Sequence, residues 1–257
     1  MRQVGPVPSE LRKFFEDNPS PALAFSGGAD SSYLFYAAVA CGADVTAYFV
    51  KTQFQPLFEL RNAVKTAEWL GHDIEVIHAN VLSDPNVRSN PADRCYHCKK
   101  HIFSSILAHA EKDGKEVVID ATNSSDDPAD RPGMKALAEL GIVSPLRLCS
   151  ITKPEIRRLS KEAGLWTWDL PSNSCLATRI PVNTELTEEN LYEVEETEDM
   201  VRELGFREIR VRSLGKKVRL EITDDEQNLL EDRKKEVQNI LLAHYSEIEF
   251  GRRNARP

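Results

Sequence analysis

The residues Ser26-Gly27-Gly28-Ala29-Asp30-Ser31-Ser32 constrain this chain more than any other stretch. They lie between an apolar run at 22–25, which reads as a short buried strand, and a second at 33–39, which reads as a packed helix. Adjacent glycines permit a turn that residues with a Cβ resist, and small or hydroxylated neighbours leave room for an anion at the helix N-terminus. A phosphate cradle and an ordinary strand-to-helix turn both meet this description. No Gly-Lys-Ser/Thr follows, and the third glycine of a dinucleotide fingerprint is missing, so neither of those phosphate loops applies.

The surrounding pattern sets the fold class. After a lead-in helix at 9–17, apolar strand-like runs at 45–50, 74–77 and 117–120 alternate with helical spacing, including a helix at 59–70. Such alternation predicts an α/β fold, a parallel sheet with helices on both faces and ligands at the strand carboxyl ends. The polar loop that begins Ala121-Thr122-Asn123 and reaches Asp130-Arg131-Pro132-Gly133 sits at one such end. It offers Thr122 and Asn123 to a nucleotide and Arg131 to a phosphate, or it is plain solvated loop. Ser144-Pro145-Leu146 reads as a further short strand, Thr152-Lys153-Pro154-Glu155 as a capped helix start, and Trp166, Trp168 and Leu170 as packing.

Composition changes near residue 185, which divides an expected large domain at 1–184 from a small C-terminal α+β domain at 185–257. The latter reads helix, strand, strand, helix, strand. Its first helix is strongly acidic, with Glu196 and Glu198 as solvated surface or as a metal site. Arg210 and Arg212 alternate along one strand and so share a side, which suits a phosphate or surface ion pairs. An open sheet edge or face there leads us to expect a homo-oligomer.

With 41 acidic against 33 basic residues the net charge is −8, which argues against a nucleic-acid partner. No run reaches membrane-spanning length and the start does not resemble a secretory signal, so a cytoplasmic protein with no membrane partner is expected. Five cysteines, an odd number, favour free thiols over a disulfide framework. Cys95 and Cys98 form a Cys-x-x-Cys pair that reads as packed thiols or as half of a zinc or cluster site. Cys175 lies in a loop of small residues four positions before Arg179, where a cation can favour its thiolate. Cys41 and Cys149 read as packing.

Ser26, Gly27, Gly28, Asp30 and Ser31 resemble the PP-loop of the ATP pyrophosphatases, which holds the pyrophosphate of ATP during adenylation. That loop, Arg94-Cys95-Tyr96-His97-Cys98-Lys99, Asp130-Arg131-Pro132-Gly133 and Cys175-Leu176-Ala177-Thr178-Arg179-Ile180-Pro181 occur here in this order. Together they resemble the LarE-type sulfur transferases over roughly residues 21–250. The resemblance implies ATP and Mg2+, with Asp30 as a metal ligand, and a small nucleotide-like substrate, pyridinium biscarboxylic acid mononucleotide. A carboxylate of that substrate would be adenylated and converted to a thiocarboxylate in nickel-pincer cofactor biosynthesis. The sulfur would come from Cys175, leaving dehydroalanine, and Arg179, Arg210 and Arg212 would hold the substrate's phosphate and carboxylates.

A second kind of family member carries sulfide on an iron-sulfur cluster, for which Cys95, Cys98 and Cys175 are the available ligands. A PP-loop tRNA thiolase, an amide-forming ligase with Cys175 idle, and a non-catalytic nucleotide-binding scaffold are the other readings. Thr178 and Ala121 depart mildly from the residues expected at their positions, serine and glycine.

Overall fold

A computed structural model describes residues 5–126 and 132–253. Its helices and strands run α1 (Ser9–Asp17), β1 (Ala22–Ala24), α2 (Ala29–Ala40), β2 (Thr46–Lys51), α3 (Leu57–Leu70), β3 (Ile74–His78), α4 (Pro85–Arg88), α5 (Arg94–Lys112) and β4 (Val118–Ile119). There follow α6 (Pro132–Glu139), α7 (Pro145–Leu148), α8 (Lys153–Glu162), α9 (Glu188–Glu203), β5 (Ile209–Leu214), β6 (Lys217–Ile222), α10 (Gln227–Leu242) and β7 (Glu247–Arg252). By contacts the described chain forms two compact units. One joins residues up to Val81 with Asp93–Ser172, the other Leu82–Ala92 with residues from Asn173 on. The composition boundary at 184/185 and this partition fall at different places, since residues 82–92 and 173–184 group with the C-terminal elements.

In the first unit the strands are parallel, in the order β3-β2-β1-β4. Their side chains alternate between two cores, as a period of two requires. Leu23, Ala47, Phe49 and Ile119 face a core shared with Leu11, Leu34, Ala63, Leu146 and Ile156, whereas Ala22, Tyr48, Val50 and Val118 face Phe103, Ile106 and Leu137. Helices therefore cover both faces. The order also reverses at β1: the chain proceeds outward through β2 and β3, then returns to β4 on the other side. A crevice opens where neighbouring connections diverge in this way.

The expected strand at 144–146 is instead the short helix α7, preceded by a single bridge between Val143 and Ile119. Pro145 has no N–H for a ladder and its fixed φ suits a first helical turn. Trp166–Asp169 forms a 3-10 turn, with Arg157 donating to the carbonyls of Trp168 and Leu170 at 2.8 and 2.9 Å.

The second unit contains the expected helix-strand-strand-helix-strand sequence. β5 and β6 are antiparallel, joined at Gly215 (φ +76°), and β6 pairs in parallel with β7. Among the described residues no helix is long and apolar enough to cross a membrane.

Candidate functional site

The turn after β1 is built around Gly27. Its φ of +72° is open to glycine at little steric penalty, and a Cβ there would lie 2.8 Å from Ala63 N and Glu59 O of α3. The backbone thus reverses against a helix and delivers Gly28 as the N-cap of α2, with no side-chain cap bond. At Gly28 an added Cβ would meet, among the described residues, only Ser26 Oγ, at 3.5 Å. Ser31 Oγ turns back to the loop, 3.0 Å from Ser26 Oγ and 3.2 Å from Gly28 O. Five predicted residues, Ser26, Gly27, Gly28, Asp30 and Ser31, are therefore one local structure at the carboxyl end of β1.

Asp30, in the first turn of α2, reaches out of that structure. Its Oδ1 accepts from Lys153 Nζ at 2.5 Å and its Oδ2 from Asn123 Nδ2 at 3.4 Å. Burial pushes its carboxyl above the ordinary value, and the Lys153 ammonium opposes that rise. Lys153 was not among the residues expected at the site. The signal was its place at the first position of α8, where a cation opposes the helix dipole and needs a partner.

The strand-end loop after β4 is stapled to this pair. Asn123 N donates to Asp126 Oδ2 at 3.1 Å, Ser125 N to Asn123 Oδ1 at 2.9 Å, and Lys153 N to Ser125 Oγ at 3.0 Å. Thr122 is held differently. Its hydroxyl donates to the buried Asp120 carboxylate at 2.5 Å, as does Ser144 Oγ, so Asp120 organises the loop from below. Asp130 and Arg131 lie outside the described residues. Along the same strand ends, Lys51, Thr52, Gln53, His78, Ala79 and Asn80 line an open depression of about 490 Å³.

At the head of α5, Cys95 is exposed and accepts from Arg94 Nη2 at 3.6 Å, while Cys98 is buried. Among the described residues no three His, Cys, Asp or Glu side chains group as a metal-ligand set. Burial pushes the Cys41 and Cys149 thiols up, which suits packing.

In the second unit Cys175 begins a single 3-10 turn, Leu176–Arg179. Arg179 is turned inward and 1% exposed. Its Nε and Nη2 donate to the two oxygens of Glu198 at 2.9 and 3.2 Å, and its Nη1 donates to Ser174 O at 2.6 Å. From β5, Arg212 donates to Thr178 O at 2.6 Å and to Glu221 at 3.0 Å. Arg210, two residues earlier, is also buried.

Glu198 is not on a solvated face. It is fully buried, and it also accepts from Arg202 Nη2 at 2.8 Å and Val211 N at 3.0 Å. Burial is the strongest influence on its carboxyl and pushes upward, but the two arginines and the Val211 amide outweigh it and hold the group below its ordinary value. The sequence carried a signal, because Leu191, Val194, Glu198 and Val201 fall on one helical stripe. Glu196 is the outward one, bonded by Tyr192 Oη at 2.9 Å and 3.0 Å from His244 Nε2.

No family model matches the chain. It is 35% identical over 217 residues to an uncharacterized protein of Synechocystis, covering 84% of this chain and 81% of that one. It is 32% identical over 204 residues, 79% of this chain and 74% of the other, to pyridinium-3,5-bisthiocarboxylic acid mononucleotide synthase of Lactiplantibacillus plantarum. An uncharacterized protein of Methanocaldococcus jannaschii is 30% identical over 233 residues, 91% and 89% of the two chains.

Proposed function

The chain belongs to the LarE-type sulfur transferases, and on that premise we propose that it uses ATP to adenylate a carboxylate of pyridinium biscarboxylic acid mononucleotide and converts it to a thiocarboxylate with the sulfur of Cys175. The observation that carries the ATP-dependent half is the convergence of the glycine turn, Asp30, Lys153 and Asn123 where the strand order reverses. The uncapped start of α2 presents backbone N–H groups to an anion, and among the described residues nothing bulky fills the space beside Gly28. The depression at the ends of β2 and β3 is the proposed seat of the nucleoside.

Asp30 is a hard oxygen donor of the kind Mg2+ takes together with phosphate oxygens. When bound, Mg2+ offsets charge on the phosphates. Lys153 then neutralises further phosphate charge from the other side of the crevice, and Asn123 holds Asp30 in orientation.

The chemistry assigns Cys175 two tasks. A carboxylate rejects a thiolate because oxide is a poor leaving group, but an acyl-adenylate releases AMP. Cys175 Sγ attacks the acyl carbon, the C–S bond forms, and the C–O bond to AMP breaks. Loss of the Cys175 Cα proton to a general base then drives its electron pair into a Cα=Cβ bond, the Cβ–Sγ bond breaks, and the thiocarboxylate leaves. Dehydroalanine remains. Arg210 and Arg212 are the proposed ligands of the substrate phosphate. Self-association through the C-terminal unit is proposed on its sheet, whose outer strands β5 and β7 each have one neighbour among the described strands; a monomer by light scattering would refute it.

The test is intact mass before and after turnover with ATP, Mg2+ and the pyridinium substrate, with iron assayed on the same anaerobic sample. Loss of hydrogen sulfide, about 34 Da, mapped to Cys175 is expected. Unchanged mass with thiolated product and bound iron would replace this reading by a cluster on Cys95, Cys98 and Cys175. Unchanged mass without that product would return the tRNA thiolase and ligase readings.

A further inference from the structure

The main-chain carbonyl of Cys175 is surrounded by donors. It accepts from Thr178 Oγ1 at 2.8 Å, Thr178 N at 3.0 Å and Arg179 Nη1 at 3.3 Å. The same guanidinium nitrogen donates to Thr178 Oγ1 at 3.2 Å, so the hydroxyl receives from a cation while it gives to the carbonyl. Donors linked in series polarise one another. The guanidinium is itself fixed, by the fork onto Glu198, which the Val211 amide and Arg202 hold in turn.

This matters for one step only. When a base removes the Cα proton of Cys175, negative charge develops on the adjacent carbonyl oxygen before or as the Cβ–Sγ bond breaks. An ordinary peptide Cα–H is a very weak acid, so the charge needs preorganised donors where it appears. Attack of Sγ on the acyl-adenylate places no charge on that oxygen and needs none of them.

Resting on the reading of Cys175 as sulfur donor, we propose that Thr178 and Arg179 are catalytic residues of the elimination step: they form an oxyanion site for the enolate of Cys175, and Glu198 is the positioning residue that aims Arg179. Arg179 thus serves the protein's own reacting residue instead of the substrate's phosphate. The proton leaves to the base, the electron pair passes through the enolate into the new Cα=Cβ bond, and the sulfur departs with the pair of the Cβ–Sγ bond.

The experiment is a single turnover of the full-length protein followed by intact mass, with Thr178→Val, Thr178→Ser and Arg179→Lys beside the wild type. Thr178→Val keeps the shape and removes the hydroxyl. It is expected to form the covalent substrate adduct at Cys175 at nearly the wild-type rate but to lose sulfur from it about 10²–10³-fold more slowly, so that the adduct accumulates. Thr178→Ser should restore elimination, and Arg179→Lys, with one nitrogen for the work of three, should also stall at the adduct. Elimination from Thr178→Val at the wild-type rate overturns the proposal. So does loss of adduct formation and elimination together in a folded variant, because it would show that the hydroxyl merely shapes the turn. If the wild type neither forms an adduct nor loses mass at Cys175, the sulfur-donor reading itself falls, an outcome distinct from either of these.

Discussion

Lys153 Nζ lies 2.5 Å from Asp30 Oδ1, joining the first turn of α8 to the first turn of α2 across 123 positions of sequence. Each side chain is only partly exposed, 17% for the lysine and 24% for the aspartate, so the pair is shielded enough to matter. It unites a carboxylate able to take a metal with a cation able to meet phosphate.

Lys153→Ala is expected to lower ATP–pyrophosphate exchange by about 10²-fold, the usual loss when one preorganised charge is removed from a transition state. Because Lys153 opposes the rise in the Asp30 pKa, the acidic limb of the exchange–pH profile should also move to higher pH in this variant. A profile whose limb stays in place would separate Asp30 from the exchange reaction.

Asp30→Asn should leave the folded protein no less stable at pH 7 than the wild type, and more stable if anything. Burial raises the folded-state pKa of Asp30, so the native state binds the proton more tightly than the unfolded chain. Stability contributed by this group therefore falls as pH rises from the ordinary carboxylate value, about 3.9, through the raised one. Urea unfolding at several pH values measures it, and a large destabilisation of Asp30→Asn at neutral pH would contradict the assignment. Exchange activity of the variant should be lost.

Glu198 carries the opposite sign. Its folded-state pKa is held below the ordinary value, so its contribution is present above about 4.3 and disappears as pH falls through the lower folded value. Removing one partner of a buried pair is strongly unfavourable, and Glu198→Ala should cost about 3–5 kcal/mol in denaturant unfolding near neutral pH. Below that lower value the difference between wild type and variant should narrow.

Gly27 and Gly28 should respond differently to alanine. At Gly27 both the positive φ and the approach of Ala63 N and Glu59 O resist a Cβ, so Gly27→Ala should lose about 1–3 kcal/mol of stability and ATP binding with it. At Gly28 the backbone is extended, φ −78°, and the new methyl meets ordinary contact distance. Gly28→Ala should therefore fold normally while weakening ATP binding, as calorimetry on the purified variants would reveal.

Local pattern determined much of this protein. The alternation around Leu23, Phe49 and Val118, with two faces of each strand apolar, is enough to demand a parallel sheet covered on both sides. The paired glycines after β1 and the small residues around Cys175 are legible because turn chemistry depends on a few adjacent residues. Pro145 is the exception: Ser144-Pro145-Leu146 reads as a strand, whereas the missing N–H of the proline favours the helix start that the structure has. Tertiary structure decided the pairing of charges. Asp30 meets Lys153, and Arg179 turns from an expected substrate to Glu198, because these groups lie on different elements and only the packing of helices brings them within hydrogen-bond reach. A sequence states which residues carry charge; the free energy of burying that charge, and hence its partner, is set by what else the fold places around it.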